Sequence, residues 1–271
     1  MYKLIAMDLD GTILNSYKQI SQRNLTEIKR VVAKGIKVVV CSGRIYKAAK
    51  LYARQIGTKE LVIACNGATI RDASDDSVLF ENSLNPEDCL KIIDICHEED
   101  IYFHTYINDT LYTEKLLYGS TFYSKLNESL QPEDRIDVMV VDDVKNVISN
   151  SGLKASKIVA VSDDRQQLLK GRKRAEEVKT VEVMSSFGDN FEVMNRGVSK
   201  ANALDFIMKR YGIINEEVIA IGDNENDYSM IKMAGLGIAM GNGEDLVKRI
   251  ADFITLSNDD DGVAEAIKRF I

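Results

Sequence analysis

Short, nearly uninterrupted apolar runs recur toward both ends of this chain, at 2–7, 36–41, 61–65, 218–221 and 236–240, and the segments between them carry apolar residues at helical spacing. Over 22–34, Leu25, Ile28, Val31 and Val32 share one face, with Ser21 placed to cap the start and Gly35 to end the helix. Continuous apolar strands joined by amphipathic helices predict a parallel sheet covered on both faces, because a strand with one wet face would alternate instead. Strand, helix, strand in that order is a right-handed crossover. The expected fold class is α/β, a doubly wound, Rossmann-like parallel sheet.

The middle of the chain has a different rhythm. A hairpin is predicted from 68–71 against 77–81, and Pro86, following Asn85 as cap, opens a helix with Leu90, Ile93 and His97 along one side. Strand-like stretches at 101–107, 110–114, 157–161 and 180–184 then surround a charged helix near 164–177. The pattern is α+β. It divides the chain into a core of 1–83 with 193–271 and an inserted domain of 84–192.

Ligands of open parallel sheets bind beyond the carboxyl ends of the strands, so the residues leaving each run are the ones to read. The first run leaves through Asp8-Leu9-Asp10-Gly11-Thr12, the second through Ser42-Gly43-Arg44, the third through Asn66-Gly67, and the fourth through Gly222-Asp223-Asn224-Glu225-Asn226-Asp227. Asp8 and Asp10, two apart on a strand, face the same side, and carboxylates so close call for a cation. Alone, that pair is equally compatible with a turn and a helix-capping acid. Four polar exits on one sheet edge point instead to a site, and phosphoryl transfer is the chemistry they could share. Asp8, Asp223 and a backbone carbonyl near Asp10 would suffice for magnesium, a hard cation that keeps several waters. Ser42 offers a hydroxyl beside a small nest of amides, and Lys200, just before a helical pattern of Ala203, Leu204, Ile207 and Met208, offers a charge for a phosphoryl oxygen.

Composition narrows the alternatives. With 271 residues, 45% of them hydrophobic, the chain can bury a sizeable core, and its length fits two domains or one large one. A net charge of −7 argues against nucleic acid as a partner. The basic run Lys170-Gly171-Arg172-Lys173-Arg174 is followed by Glu176 and Glu177, which makes it a solvated helix face. Only two histidines, His97 and His104, lie in the chain, both far from the acidic exits, so histidine-dependent hydrolysis and multi-histidine metal sites are excluded. Both read as packed residues. Cys41, Cys65, Cys89 and Cys96 form no CxxC pair and are expected as buried thiols. The apolar runs are strand-sized, too short for a signal peptide or a membrane span, and a cytoplasmic protein with no membrane partner is expected.

Taken together, these residues resemble the haloacid dehalogenase superfamily, and its Cof-type (subfamily IIB) phosphatases in particular. Asp8 through Thr12 resembles the first motif, Ser42-Gly43-Arg44 the second, Lys200 the third, and Gly222-Asp223 through Asn226-Asp227 the fourth. The long interval between Arg44 and Lys200 has the size of the C2-type cap inserted in those relatives. The resemblance implies that Asp8 is the nucleophile, forming an aspartyl phosphate and ligating magnesium, and that Asp10 is the acid and base, its main-chain carbonyl touching the metal. It implies that Leu9, Ser42, Gly43, Lys200 and Asn226 contact the phosphoryl group and that Asp223 completes the metal ligands. Arg44, Asn66 and Asp227 would support them, Asp227 by orienting Lys200 or metal-bound water. The implied substrate is a small phosphorylated metabolite, a sugar phosphate first of all, chosen by cap residues; His104, Tyr106 and Arg196 are not assigned to the site. A phosphosugar mutase or an inorganic pyrophosphatase on the same fold is the nearest alternative. A noncatalytic phosphometabolite-binding or receiver-like protein is the next, although receivers carry an acid pair before their phosphorylated aspartate and lack a cap-sized insertion. Nothing in the sequence indicates an oligomeric state.

Overall fold

The computed structural model describes residues 1–271, the side chain of Ser151 excepted. The chain runs through β1 (Leu4–Met7), α1 (Gln22–Ala33), β2 (Lys37–Cys41), α2 (Tyr46–Ile56), β3 (Leu61–Ala64), β4 (Thr69–Asp72) and β5 (Val78–Glu81). There follow α3 (Pro86–Glu98), β6 (Tyr102–Ile107), β7 (Thr110–Thr113), α4 (Tyr118–Asn127), β8 (Asp137–Val140), α5 (Val144–Ser151), β9 (Lys157–Val161), α6 (Arg165–Glu176), β10 (Val181–Met184) and β11 (Asn190–Asn195). The last stretch is α7 (Lys200–Tyr211), β12 (Val218–Gly222), α8 (Tyr228–Met233), β13 (Leu236–Ala239), α9 (Asp245–Lys248), β14 (Phe253–Ile254) and α10 (Gly262–Phe270). Two compact units result, one of Met1–Phe80 with Ser199–Ile271, the other of Glu81–Val198.

The first unit is built on a sheet of order β14-β13-β12-β1-β2-β3-β4-β5. β1 is parallel to both β2 and β12, β2 to β3, and β12 to β13, whereas β4 returns antiparallel along β3. The parallel sheet expected from the apolar runs therefore carries an antiparallel hairpin at one edge. Its strands lack alternation for a visible reason. Leu4 and Ala6 pack with Val39, Cys41, Leu204, Ile207 and Met208, while Ile5 and Met7, which point to the other face, are also fully buried. Truncating one of these side chains, as in Leu204→Ala, would cost about 2–5 kcal/mol. α1 begins where expected, with Ser21 Oγ accepting from Asn24 N–H, and Gly35 follows it at φ +82°.

In the second unit the sheet order is β10-β11-β9-β6-β7-β8, antiparallel except for the parallel pair β7–β8. Ile92 and Ile93 of α3, Ile148 of α5 and Leu168 of α6 form a core with Phe103, Ile158 and Phe191 of the sheet. β8 and β11 were not among the expected strands, and this unit runs through β11 past residue 192, ending at Val198. His97 lies on α3 and His104, buried, on β6. All four cysteines are free and buried. Among the described residues, no helix is long and apolar enough to cross a membrane.

Candidate active site

Because β1, β2, β3 and β12 are mutually parallel neighbours, their carboxyl ends open on one edge, and the four polar exits meet there. Asp8 follows β1 directly, its N–H donating to the Ile221 carbonyl of β12 (3.0 Å). Gly11 then turns the chain at φ +80°, a backbone conformation that favours glycine. Space demands glycine as well: a Cβ there would lie 2.3 Å from Asp223 Oδ2. The turn brings Thr12 Oγ1 to donate to Asp223 Oδ1 (2.8 Å), tying the first exit to the fourth.

Lys200 is the first residue of α7, whose N-cap Ser199 accepts from Asn202 N–H (3.1 Å). A cation at a helix N-terminus opposes the helix dipole, so something else must hold it. Its fully buried Nζ lies 2.6 Å from Asp8 Oδ1 and 2.6 Å from Asp227 Oδ1. The other oxygen of Asp227 accepts the N–H groups of Asp223 (2.9 Å) and Asn224 (3.1 Å). Asp227 thus fixes both the lysine and the start of its own loop.

One carboxylate oxygen from each of Asp8, Asp223 and Asp227 lies within 4.8 Å of the others, and all three residues are buried. One lysine cannot neutralise three such groups. Burial pushes the Asp8 carboxyl up to about 7; the Lys200 charge opposes this, and Asp227 and Asp10 add to it. Asp223 is also held well above the ordinary carboxyl range, first by burial and then by the charges of Asp8 and Asp227. For Lys200, burial works against its charge, but Asp227 and Asp8 outweigh it and hold the ammonium above its usual range. An excess of buried hard oxygens with raised affinity for protons is the chemistry of a divalent-cation site, and the residues present fit magnesium.

Asp10 stands apart from this cluster. Its carboxylate is gripped by Arg44, through Nε (2.6 Å) and Nη2 (2.8 Å), and touched by Lys18 Nζ (2.8 Å). Burial would raise its carboxyl, but the Arg44 charge and hydrogen bonds, with Lys18, reverse that and hold it well below the ordinary range. Tyr52 lies under the Arg44 guanidinium, 5.1 Å from ring centroid to Cζ. Ser42 Oγ accepts from Arg44 N–H (3.1 Å), and Asn66, after β3, accepts from Asn226 Nδ2 (3.1 Å). Leu9 is fully buried between the two aspartates, and Gly43 lies between Ser42 and Arg44. His104, Tyr106 and Arg196 all belong to the second unit.

Several residues that brace this region carry no local sequence signal. Asn242 Nδ2 donates to the Gly11 carbonyl (2.9 Å), Asn258 Nδ2 to that of Leu14 (2.9 Å), and Asp259 accepts both the N–H (2.8 Å) and the hydroxyl (2.5 Å) of Ser16. These contacts fasten the loop that carries Lys18. Polar residues at the exit of β13 and before α10 were the available hint, since a strand neighbouring β12 must also end at this edge.

The model of the haloacid dehalogenase-like hydrolases matches residues 5–267. Phosphatase YwpJ of Bacillus subtilis is 32% identical, over 99% of this chain and 100% of its own. The 5-amino-6-(5-phospho-D-ribitylamino)uracil phosphatase YcsE of the same organism is also 32% identical, over 99% and 96% of the two chains. A solved haloacid dehalogenase-like hydrolase of B. subtilis superposes with a TM-score of 0.88 at 30% identity, covering 99% of this chain and 100% of that one.

Proposed function

The chain belongs to the haloacid dehalogenase-like hydrolase family and is an enzyme of its phosphatase kind, and from that premise we propose a magnesium-dependent phosphatase of small phosphorylated metabolites, sugar phosphates first among them. The observation that carries this reading is the buried Lys200 bridging Asp8 and Asp227 beside Asp223. Asp8 is the nucleophile: its carboxylate oxygen attacks phosphorus, the bond to the leaving oxygen breaks, and Asp10, which must be protonated and freed from its Arg44 and Lys18 contacts for this half-reaction, gives that oxygen a proton. Water then attacks the aspartyl phosphate, Asp10 takes its proton, and orthophosphate leaves as Asp8 is regenerated. The Arg44 and Lys18 contacts favour the carboxylate form of Asp10, the form this second half-reaction uses.

Lys200 offsets charge on the phosphoryl oxygens while Asp227 holds its Nζ in place. Ser42, Asn226 and the backbone of Leu9 and Gly43 supply the remaining phosphoryl contacts. Asp8, Asp223 and the main-chain carbonyl of Asp10 would hold the magnesium ion, which supplies charge neutralisation and a fixed orientation for the phosphate. Sugar and sugar-alcohol phosphates head the substrate class because a relative named for a ribityl phosphate substrate aligns over nearly the whole chain. Orthophosphate release from a panel of sugar, polyol and cofactor phosphomonoesters, with magnesium and no bisphosphate activator, tests the reading. Turnover of polyol or sugar phosphates is expected. Dependence on a bisphosphate activator would indicate a mutase, and no release from any member would overturn the proposal.

A further inference from the structure

Three successive residues after β3 adopt left-handed backbone: Cys65 at φ +50°, Asn66 at +59° and Gly67 at +102°. Two of them carry a Cβ, and such strain persists only where surrounding contacts over-determine it. Several contacts of this turn lead to the site. Cys65 N–H donates to the Arg44 carbonyl (2.9 Å) and Asn66 N–H to the Ser42 carbonyl (3.0 Å). Gly67 rests against the Ser199 carbonyl, where a Cβ would come within 2.4 Å. Asn66 itself is fully buried, and its Oδ1 accepts from Asn226 Nδ2 (3.1 Å). One strained turn therefore touches the backbone behind Ser42 and Arg44, the residue that precedes Lys200, and the amide of Asn226.

We propose that Asn66 is a positioning residue for phosphoryl binding: its side-chain carbonyl sets the orientation of the Asn226 amide, and its left-handed turn sets the spacing of the Ser42 and Lys200 loops. This rests on the reading above, in which those three residues meet the phosphoryl group. A primary amide has two N–H donors on one plane, so engaging one with Asn66 fixes where the other points. Preorganised donors lose their effect when displaced by about 1 Å, even by a change away from the reacting atoms.

Glycine adopts the same backbone without strain but lacks the amide, which separates the two contributions of Asn66. Steady-state kcat and KM for one phosphomonoester, the inhibition constant of inorganic phosphate and Tm are to be measured for Asn66→Gly, Asn66→Ala, Asn226→Ala and the double variant Asn66→Gly/Asn226→Ala. Asn66→Gly is expected to lose about tenfold or more in kcat/KM and bind phosphate more weakly, with a smaller fall in Tm than Asn66→Ala. In the Asn226→Ala background it should cause no further loss, since both changes remove one contact. Asn66→Ala should lower Tm as well. Wild-type kinetics in Asn66→Gly beside an impaired Asn226→Ala, or losses that multiply in the double variant, would overturn the positioning role alone. Wild-type kinetics in Asn226→Ala would overturn the phosphoryl contact on which it rests, and the proposal with it.

Discussion

Arg44 holds both oxygens of Asp10, Nε on one and Nη2 on the other, in a site where the guanidinium is buried and backed by the Tyr52 ring. A bidentate pair fixes the plane of the carboxylate as well as its charge, which lysine cannot reproduce. If Asp10 is the base of the second half-reaction, as proposed, Arg44→Ala is expected to lower kcat by about 10²-fold, within the range for general acid–base groups, with a smaller change in KM. Rapid acid quench of the variant should find phosphoprotein accumulating, because hydrolysis of the intermediate is the impaired step. Absence of that accumulation would mean that Arg44 serves binding instead.

Lys200 is the buried cation between two carboxylates, so removing it leaves like charges facing each other out of water. Lys200→Ala should abolish measurable turnover and destabilise the fold by about 3–5 kcal/mol, the range for breaking a buried ion pair from one side. Denaturant unfolding checks the second part. A stability within experimental error of wild type would show that the carboxylates are compensated by other means.

The proposed metal dependence rests on the same excess of negative charge. Chelation should stop turnover and added magnesium restore it, and magnesium should raise Tm, because a ligand bound only by the folded state stabilises it. Asp223→Asn should lose most of that Tm increase. Full activity in excess chelator, or an unchanged magnesium effect in Asp223→Asn, would count against this donor set.

His104, in the second unit, offers a test of stability. Burial, with the Lys157 charge adding to it, pushes this imidazole down to about 3, and its Nδ1 has no hydrogen-bond partner among the described residues. A folded pKa below the unfolded value of about 6.5 means that the unfolded state binds the proton first as pH falls. The stabilisation is therefore complete above about pH 6.5 and is lost progressively toward pH 3, a few kcal/mol in all. Between pH 7.5 and pH 4, wild type should lose more Tm than His104→Asn, which cannot titrate. Equal losses would contradict this.

The parallel sheet was legible because β1, β2, β3, β12 and β13 are buried on both faces and read as unbroken apolar runs. β11 was hidden for the opposite reason: its buried positions include Asn190 and Glu192, the latter paired with the buried Lys157 Nζ at 2.8 Å, so polar residues stand where an apolar pattern was sought. β8 is an edge strand with Met139 and Val140 largely exposed, and it buries too little to impose a pattern. In the candidate site, Asp8, Lys200 and Asp223 could be read only in combination, from their places at strand ends and a helix start. Lys18, Asn242 and Asp259 could not be read, because they lie outside the strands and α-helices, and Asn242 and Asp259 meet partners more than 200 positions away, Gly11 and Ser16.

Phosphoryl transfer to Asp8 is best tested by rapid acid quench of the wild-type enzyme with substrate labelled in its phosphate, followed by peptide mapping. Label is expected within the first turnover on the peptide containing Asp8, labile to hydroxylamine as an acyl phosphate is, and absent from Asp8→Asn, whose fold should be intact and whose turnover should be abolished. A burst of orthophosphate with no labelled protein, or an Asp8→Asn variant that retains most of its activity, would contradict the nucleophilic role of Asp8.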